Sequence, residues 1–488
     1  MAVESGKRIP YGAANRRPAN RAGGAAAART SGQNRSDRLA GSGTSTRARR
    51  SAPTPPSGPV RRKRVKKSLA QTIRELFYKN PGKLNGGFVA TMCVLQVFGL
   101  LMLFSASYAT ALYKFGNIYE YFGPQVLYAC VGLVAMWVAS YFDYNKLRPM
   151  ARGLYIICLI LLVFVLFMEP IKGCKRWINI EHFPSIQVSE IAKFGLIVML
   201  ADWFSRYEKR IEGRLGGIKP GENLYLAVIM PGLFLMPILV LLLLEPHHSA
   251  MIIMTCITAS IMFVGGALMR WFVCAGVTVG AAFAVLLVTK GGYVQERLQG
   301  WLDPFSDMQG STQQTGQSLY TIGSGGLFGV GIGNSVQKHM WLPEAQNDFI
   351  FAILCEELGM VGALVCILLF SMLIVQGIVI ARKAPDRFGT LLAIGCIAQI
   401  GFQFWFNVGV VTNTIPNTGI SLPFFSSGGT SLLLLLGQMG MILSVSRAGN
   451  RRQAELKAAR EQAKAQQMQA EFEKQQQNPY ARFRSGRE

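Results

Sequence analysis

Residues 223–244 read NLYLAVIMPGLFLMPILVLLLL, a stretch without a single charged side chain. The hydrocarbon core of a bilayer requires roughly 20 apolar residues per helix, so this stretch is long enough to cross a membrane. Half of the 488 residues are hydrophobic and the mean hydropathy is +0.29. Once the polar ends are set aside, that apolar share exceeds the share in an ordinary soluble domain. The sequence therefore indicates a membrane protein.

The same apolar pattern recurs along the chain and predicts about ten transmembrane helices. The predicted spans lie near residues 87–109, 123–142, 152–169, 188–204, 223–244, 249–267, 270–289, 349–380, 389–411 and 425–446. Two assignments stay open at this point. Residues 223–267 could be one broken pair, and residues 349–380 could be a tilted helix or a helix followed by a surface segment. The predicted fold class is an all-α polytopic membrane protein.

The distribution of Lys and Arg predicts the orientation. If the N-terminus is cytoplasmic, these residues concentrate in the inner loops at 143–152, 205–222, 269–270 and 381–388 and after residue 446. The outer loop 411–424 has no charge. The positive-inside rule then predicts that both termini are cytoplasmic. The large polar loop between spans seven and eight would face outward.

Two polar tails flank the apolar region. Residues 1–67 contain seventeen Lys and Arg against two acids, within a chain whose net charge is +24. This tail has no apolar run, so residues 1–70 are predicted to be a disordered basic cytoplasmic tail. Its cluster Arg61–Lys67 could bind anionic headgroups or a partner, or could anchor the topology. No folded basic module accompanies it, so nucleic acid is not predicted as a partner. Residues 448–488, rich in Gln, Ala and Lys, predict a frayed cytoplasmic helix.

The polar interruption at 290–347 is the first place to look for chemistry, because lipid does not tolerate such a segment. Two of its carboxylates, Asp303 and Asp307, lie close to Trp301 and Phe305 in the sequence. Asp-Pro is ordinary turn chemistry, so both acids could be solvated turn residues. Aromatic neighbours above a membrane cavity favour another interpretation, in which one carboxylate acts as a general base.

Other polar residues lie within or next to the spans. Glu190 and Lys193 are three residues apart on one predicted helical face and could form a structural ion pair or contact a substrate. The segment Gly323–Gly333 could hold a phosphate or form a close-packed re-entrant turn, and no Gly-Lys-Ser/Thr follows it, which rejects a nucleotide P-loop. The cysteines and histidines have no metal-ligand spacing, so neither a disulfide framework nor a structural zinc site is predicted.

These segments together resemble the SEDS family of bacterial membrane proteins (FtsW, RodA and SpoVE). The matching strings are GCKRWI (173–178), SEIAK (189–193), DPFSD (303–307), QSL (317–319) with IGSGGLFG (322–329), GNSVQK (333–338), LPE (342–344), DFIFA (348–352), and NV (407–408) leading to LPF (422–424) and SSGGT (426–430). They follow the family order over about residues 85–447, which sets the expected transmembrane domain. The length and the GNSVQK string favour the FtsW/SpoVE branch.

The resemblance implies a peptidoglycan glycosyltransferase that polymerises lipid II at the outer face of the bacterial cytoplasmic membrane, at a division or sporulation septum. It implies a class B penicillin-binding protein and other divisome proteins as partners. Asp307 matches the catalytic carboxylate of the family, whereas Asp303 should be dispensable. The substrate-binding positions that it implies are Trp177, Glu190, Lys193, Arg297, Gln317, Ser318, Lys338 and Glu344. One departure is Glu245-Pro246-His247, where the family often has Gln-Pro-Asp.

The implied reaction needs few groups. Prenyl diphosphate is a good leaving group, so one carboxylate to deprotonate the acceptor and cations to stabilise the diphosphate would suffice. Asp307 is the expected base, with Arg297, Lys338 and Lys193 toward the diphosphate. A divalent cation, Mg²⁺ or Mn²⁺, is a candidate cofactor, and no organic cofactor is expected.

Two other functions stay open. A flippase for lipid-linked precursors would depend on Glu190 and Lys193 more than on Asp307, and is expected to show inverted repeats and broken helices at the midplane. A scaffold for division proteins would explain the tails but not the polar loop.

Overall fold

The structure is a computed structural model that describes residues 75–78, 81–169, 176–178, 185–213, 217–277, 300–308, 310 and 312–477. Several predictions therefore fall on residues that it does not describe. They are the basic tail 1–70, Arg297, the last residues of the C-terminal tail, and most of the span at 270–289, where helix is described from 269 to 277.

The described part of the chain contains ten helices with complete bounds, besides the helical segments at 269–277 and 300–302. The ten helices are α1 (Gly86–Phe115), α2 (Phe122–Tyr141), α3 (Leu147–Val165), α4 (Val188–Ile211), α5 (Pro220–Leu244), α6 (His248–Gly265), α7 (Gln313–Gly325), α8 (Ile350–Arg382), α9 (Arg387–Val411) and α10 (Gly429–Gln477). A 3₁₀ turn, Tyr144–Lys146, precedes α3, and α5 contains a π-helical turn at Tyr225–Ile229. Among these residues the only strands are β1 (Trp177–Ile178) and β2 (Ile186–Gln187), an antiparallel pair in which Trp177 faces Gln187.

Seven helices in the described ranges are long and apolar enough to cross a membrane. They are α1, α2, α3 with its 3₁₀ turn, α5, α8, α9 and α10. Helix α4 has the length but contains Glu190, Lys193 and Asp202, whereas α6 is apolar but shorter. The protein is therefore a polytopic helical membrane protein. Helices occupy nine of the ten predicted spans, and the count of ten spans stays a prediction.

The two open assignments are now defined. Residues 223–267 form two helices, α5 and α6, which are separated at Glu245, Pro246 and His247. Helix α8 is one long segment with a kink at Gly359, where φ is 67° and ψ is −164°. A side chain at this φ is strained, so glycine is the residue that fits the kink.

Helices α4 and α9 form the centre of the bundle. Helix α4 lies against α3, α6 and α9, and α9 also contacts α8. Buried aromatic rings meet between α8 and α9, as in the stack of Phe370 on Phe404 with centroids 4.2 Å apart. Helix starts are fixed by side chains: Asn85 accepts from the N–H of Phe88 at the start of α1, and Asp386 accepts from the N–H of Gly389 at the start of α9.

Helix α10 does not end where the predicted span ends, at residue 446. It continues to Gln477, and its side chains from 451 to 474 are all exposed. The extension is rich in Ala, Gln, Glu, Lys and Arg, which are strong helix formers.

Candidate active site

The loop that carries Asp307 has a defined turn structure. The Asp307 side chain is exposed, and its backbone N–H donates to Thr312 Oγ1 at 3.1 Å. A Cβ at position 310 would lie 2.2 Å from Asp307 Oδ2, so Gly310 lets the carboxylate lie against the backbone. Asp303 is also exposed, but its side chain accepts from the N–H of Phe305, as in an ordinary turn. The two acids therefore differ in their surroundings.

The end of α9 and the segment after it clamp the Asp307 loop and α7 through hydrogen bonds. Trp301 Nε1 donates to the Asn413 carbonyl at 3.0 Å, and Asn413 Nδ2 donates to the Trp301 carbonyl at 3.0 Å. Further along, Ser318 Oγ donates to the Val411 carbonyl at 2.7 Å, and Asn417 Nδ2 donates to Gln314 Oε1 at 2.9 Å. Neither Gly310 nor Asn413 was identified from the sequence, since one is a lone glycine and the other lies in an uncharged loop.

The loop between α9 and α10 brings several elements to this end of the bundle. Ser249, at the start of α6, donates to the Thr418 carbonyl, and Thr430 donates to the Ser185 carbonyl at 3.0 Å. Ser426 of this loop contacts the segment just before α8, because its hydroxyl donates to the Asn347 carbonyl at 2.6 Å. The predicted site residues on α4, α7 and the 333–349 segment therefore belong to one end of the molecule.

Lys338 lies inside the protein. Its side chain is 0% exposed, and Nζ lies 2.8 Å from Glu357 Oε1 and 3.3 Å from Ser105 Oγ. The ammonium group also lies 4.7 Å from the ring centroid of Tyr108. No surface of Lys338 is available to a diphosphate in this arrangement. Its predicted substrate role would require the ion pair with Glu357 to open.

Glu190 and Lys193 form the ion pair that their spacing predicted. Lys193 Nζ lies 2.6 Å from Glu190 Oε1, and both side chains are almost completely buried. Glu190 Oε2 and Ser189 Oγ are buried without a hydrogen-bond partner among the described residues. The pair is thus a local contact within α4 that leaves polar atoms unused. The substrate role of these two residues stays a prediction.

The turn between α5 and α6 adds two buried titratable groups. Both carboxylate oxygens of Glu245, and Nδ1 of His247, have no hydrogen-bond partner in the described part of the chain. Burial raises the pKa of Glu245 to about 8, against a smaller opposite effect of the Arg176 guanidinium. Burial also lowers the pKa of His247 to about 3, with Arg176 and Lys193 acting in the same direction. Both groups therefore favour their neutral forms near pH 7.

The remaining predicted residues have different surroundings. Trp177 is half-buried in β1, and Gln317 is half-buried on α7. Glu344 has a φ of 55°, and one of its carboxylate oxygens accepts from Asn347 Nδ2 at 2.5 Å. Ser318 is buried and is committed to Val411, as described above. Contacts of these residues with a substrate stay predictions.

In the glycine-rich segment Gly323–Gly333, α7 ends at Gly325 and the backbone of the turn that follows packs closely against α8. The N–H groups of Val330 and Gly331 donate to the carbonyls of Glu356 and Glu357 at 2.9 and 3.0 Å. These donors are satisfied by the protein, which favours the re-entrant turn over a phosphate cradle at these two positions.

The arrangement places the exposed Asp307 carboxylate on a clamped loop, at the same end of the bundle as the two buried charge pairs. Such a site can remove a proton from a substrate hydroxyl at Asp307. Within the described residues no group of three or more His, Cys, Asp or Glu side chains could hold a metal ion. A divalent cation here would therefore need oxygen ligands from a bound substrate as well.

The comparisons with known proteins agree with the motifs. Residues 87–451 match the FtsW/RodA/SpoVE family, which is described as "Cell cycle protein". The chain is 40% identical over 364 residues to stage V sporulation protein E of Bacillus subtilis, covering 74% of this chain and 95% of that protein. It is 36% identical over 365 residues to the probable peptidoglycan glycosyltransferase FtsW of Coxiella burnetii, covering 73% and 94%.

Solved structures give the same result. The structure described as "Structural coordination of polymerization and crosslinking by a peptidoglycan synthase complex" has a TM-score of 0.62 and 25% identity, covering 75% of this chain and 98% of that chain. The rod shape determining protein RodA of Thermus thermophilus has a TM-score of 0.53 at 25% identity, covering 75% and 97%. The resemblance drawn from the motifs is confirmed: this chain belongs to the FtsW/RodA/SpoVE family.

Proposed function

We propose that this protein is a peptidoglycan glycosyltransferase that polymerises lipid II at the outer face of the bacterial cytoplasmic membrane. The observation that carries the proposal is the exposed Asp307 carboxylate, held on a clamped loop at one end of a family-typical helical bundle. Relatives that bear the name peptidoglycan glycosyltransferase align with nearly three quarters of the chain.

In the proposed reaction Asp307 accepts the proton of an acceptor sugar hydroxyl. The hydroxyl oxygen then forms a bond to C1 of the donor sugar. The bond between C1 and the diphosphate oxygen breaks, and its electron pair leaves with the prenyl diphosphate. One carboxylate suffices because the leaving group is already a stable anion, unlike the leaving alcohol of glycoside hydrolysis.

Cations would stabilise the leaving diphosphate. Arg297 is assigned to this role from its family position, and Lys193 is the other candidate. A Mg²⁺ or Mn²⁺ ion could be held by the Asp307 carboxylate together with diphosphate oxygens, since hard cations prefer such ligands. The ion would add positive charge beside the diphosphate.

The orientation and partners form part of the proposal. Both termini are placed in the cytoplasm and the 290–347 loop outside, on the distribution of Lys and Arg. A class B penicillin-binding protein is the proposed partner, supported by the similarity to a synthase complex that coordinates polymerization and crosslinking. Other divisome proteins as partners and a septal location are also proposed, with support from the similarity to FtsW and to stage V sporulation protein E.

The decisive experiment replaces Asp307. Purified Asp307→Asn protein should lose polymerisation of labelled lipid II by at least roughly 10²-fold, because a general base typically contributes 10²–10⁴. The matched control is Asp303→Asn, an exposed acid on the same loop, which should retain activity. Both should be assayed with and without the candidate transpeptidase. Near-normal polymer from Asp307→Asn would refute the assignment.

The flippase alternative predicts the opposite ranking. Lipid II transport in vesicles would then depend on Glu190 and Lys193, which form a buried pair inside the bundle, and would tolerate Asp307→Asn.

A further inference from the structure

A loop is inserted into the hydrogen-bond ladder of α8. In an unbroken helix the N–H groups of Met360 and Val361 would bond to the carbonyls four residues earlier. Here they donate to the carbonyls of Gly326 and Leu327 at 3.0 and 3.2 Å. The carbonyls released at Glu356 and Glu357 accept from the loop instead, as described above. The kink at Gly359 permits this exchange.

Side chains hold the same loop a few residues further on. Glu356 accepts from the Ser335 hydroxyl and from the Val336 N–H at 3.1 Å. Glu357 accepts from Lys338 Nζ at 2.8 Å. The adjacent acids of α8 thus each bind a different part of the 335–338 segment.

The Lys338–Glu357 pair also reaches a third element. Ser105 Oγ on α1 lies 2.6 Å from both carboxylate oxygens of Glu357. Lys338 therefore has a carboxylate, a hydroxyl and the ring of Tyr108 around its ammonium group. Lys338 and Glu357 are both 0% exposed. The charges are paired and hydrogen-bonded, which is the condition under which burial of an ion pair is tolerated.

The inserted loop is continuous with the element that carries the site. Helix α7 ends at Gly325, where the loop begins, and a Cβ at Gly325 would lie 2.0 Å from the Cys355 carbonyl oxygen. The other end of α7 follows directly on the Asp307 turn through Thr312. A shift of the loop on α8 would therefore move α7 and, with it, the Asp307 carboxylate.

We infer that Lys338 and Glu357, with Ser105, form a buried latch that fixes α7 and the Asp307 loop, so that Lys338 is a positioning residue and not a ligand of the diphosphate. The inference rests on the proposed glycosyltransferase function. It assigns the role to a residue with no accessible surface, whereas contact with substrate would leave Glu357 as an unpaired buried charge.

A double-substitution cycle tests the latch. Each single change, Lys338→Met or Glu357→Gln, leaves the other buried charge without its partner. Each should lower polymerisation by roughly 10²-fold, the cost of a small misplacement of a catalytic group. The combined Lys338→Met/Glu357→Gln protein has no unpaired buried charge, and the new amide can still accept from Ser105, so it should retain activity within about tenfold of the parent. A combined variant that melts normally but is no more active than Lys338→Met would overturn the inference.

Two controls keep the result interpretable. The same double change at the exposed pair Arg451–Glu455, 3.6 Å apart, should alter activity less than about twofold. Activity of the parent, and its loss in Asp307→Asn, establish the proposed function independently of the latch. If the single variants do not fold, the combined variant alone decides.

A milder substitution gives a second readout. Ser105→Ala removes one hydroxyl from the latch and leaves the backbone hydrogen bonds of the 335–338 segment in place. Loss of positioning should lower kcat several-fold and leave the KM for lipid II unchanged. A raised KM with normal kcat, or no change at all, would count against the latch.

Discussion

The two buried Lys–Glu pairs in the described part of the chain have the same chemistry and different architecture. Lys193 and Glu190 are neighbours on one helix, 2.6 Å apart, and Glu190 keeps one oxygen without a described partner. Lys338 and Glu357 join a loop to two helices, and both oxygens of Glu357 accept hydrogen bonds.

We infer that the Lys338–Glu357 pair stabilises the fold, whereas a substrate role of Glu190 and Lys193 stays a prediction. When one partner of a pair between distant elements is removed, the other is left as a buried charge that disturbs all the elements it contacts. A pair within one turn of helix constrains little beyond its own side chains. Unused polar atoms beside it need another partner, such as water or a ligand. Substitutions at the two pairs should therefore behave differently.

The largest contrast is expected when the Glu190–Lys193 pair on α4 is replaced in the same way as the Lys338–Glu357 pair. Glu190→Gln/Lys193→Met removes both charges, so it should leave the melting temperature within a few degrees of the parent. Polymerisation should nevertheless fall by roughly 10²-fold, because the charges there are assigned to the substrate and not to the fold. The comparison with Lys338→Met/Glu357→Gln in one assay decides the point. Full activity at both doubles would remove the proposed distinction.

A smaller effect is expected in the pH dependence of the free energy of unfolding. It arises from Glu245 and His247, which lie near the Glu190–Lys193 pair. Above pH 6.5 the unfolded chain has lost the proton of Glu245, whose ordinary pKa is 4.5, whereas the folded protein keeps it up to about pH 8. The unfolded state then binds fewer protons, so stability should fall as pH rises from 6.5 to 8. Between about 4.5 and 6.5, His247 opposes this trend, because only the unfolded chain protonates it.

Thermal unfolding in detergent across pH 6 to 8.5 measures this dependence. Arg176, Lys193 and His248 are the charged or titratable groups that act on the two residues. Glu245→Gln should abolish the fall between pH 6.5 and 8. An identical slope in the variant would assign the dependence to other groups.

The smallest effect is expected at the clamp of the Asp307 loop. Asn413→Ala removes the side-chain half of the reciprocal pair with Trp301 and places alanine at a φ of 53°. Polymerisation should fall about three- to tenfold, the value of roughly one hydrogen bond. Thr414→Ala, an exposed neighbour, is the control. Equal loss in both variants would indicate a general disturbance of the loop.

The features predicted correctly from the sequence are local ones. Apolar runs identified helices at nine spans because the requirement of the bilayer acts on each segment by itself. The Glu190–Lys193 pair followed from a spacing of three residues. That Asp303 and Asp307 could be solvated turn residues followed from the Asp-Pro pair, although the aromatic neighbours favoured another interpretation. The catalytic role of Asp307 came from the family resemblance, not from spacing.

The features missed depend on distant parts of the chain. Lys338 lies 19 residues from Glu357 and 233 from Ser105, and no pattern in the sequence links these positions. Gly359 is one of many glycines, and only the inserted loop shows why it interrupts α8. The composition after residue 446 predicted a frayed helix, but the apolar pattern did not show that this helix continues α10 without a break.

That continuation of α10 has a mechanical consequence. A free helix in water must first form a costly nucleus, whereas this one grows from a segment already folded within the bundle. Thirty residues beyond 447, at 1.5 Å each, extend about 45 Å, more than the thickness of the hydrocarbon layer. The extension is therefore a single exposed helix. A protein that bound it near Gln477 would be held at about the length of this helix from the bundle, instead of against the surface of the bundle.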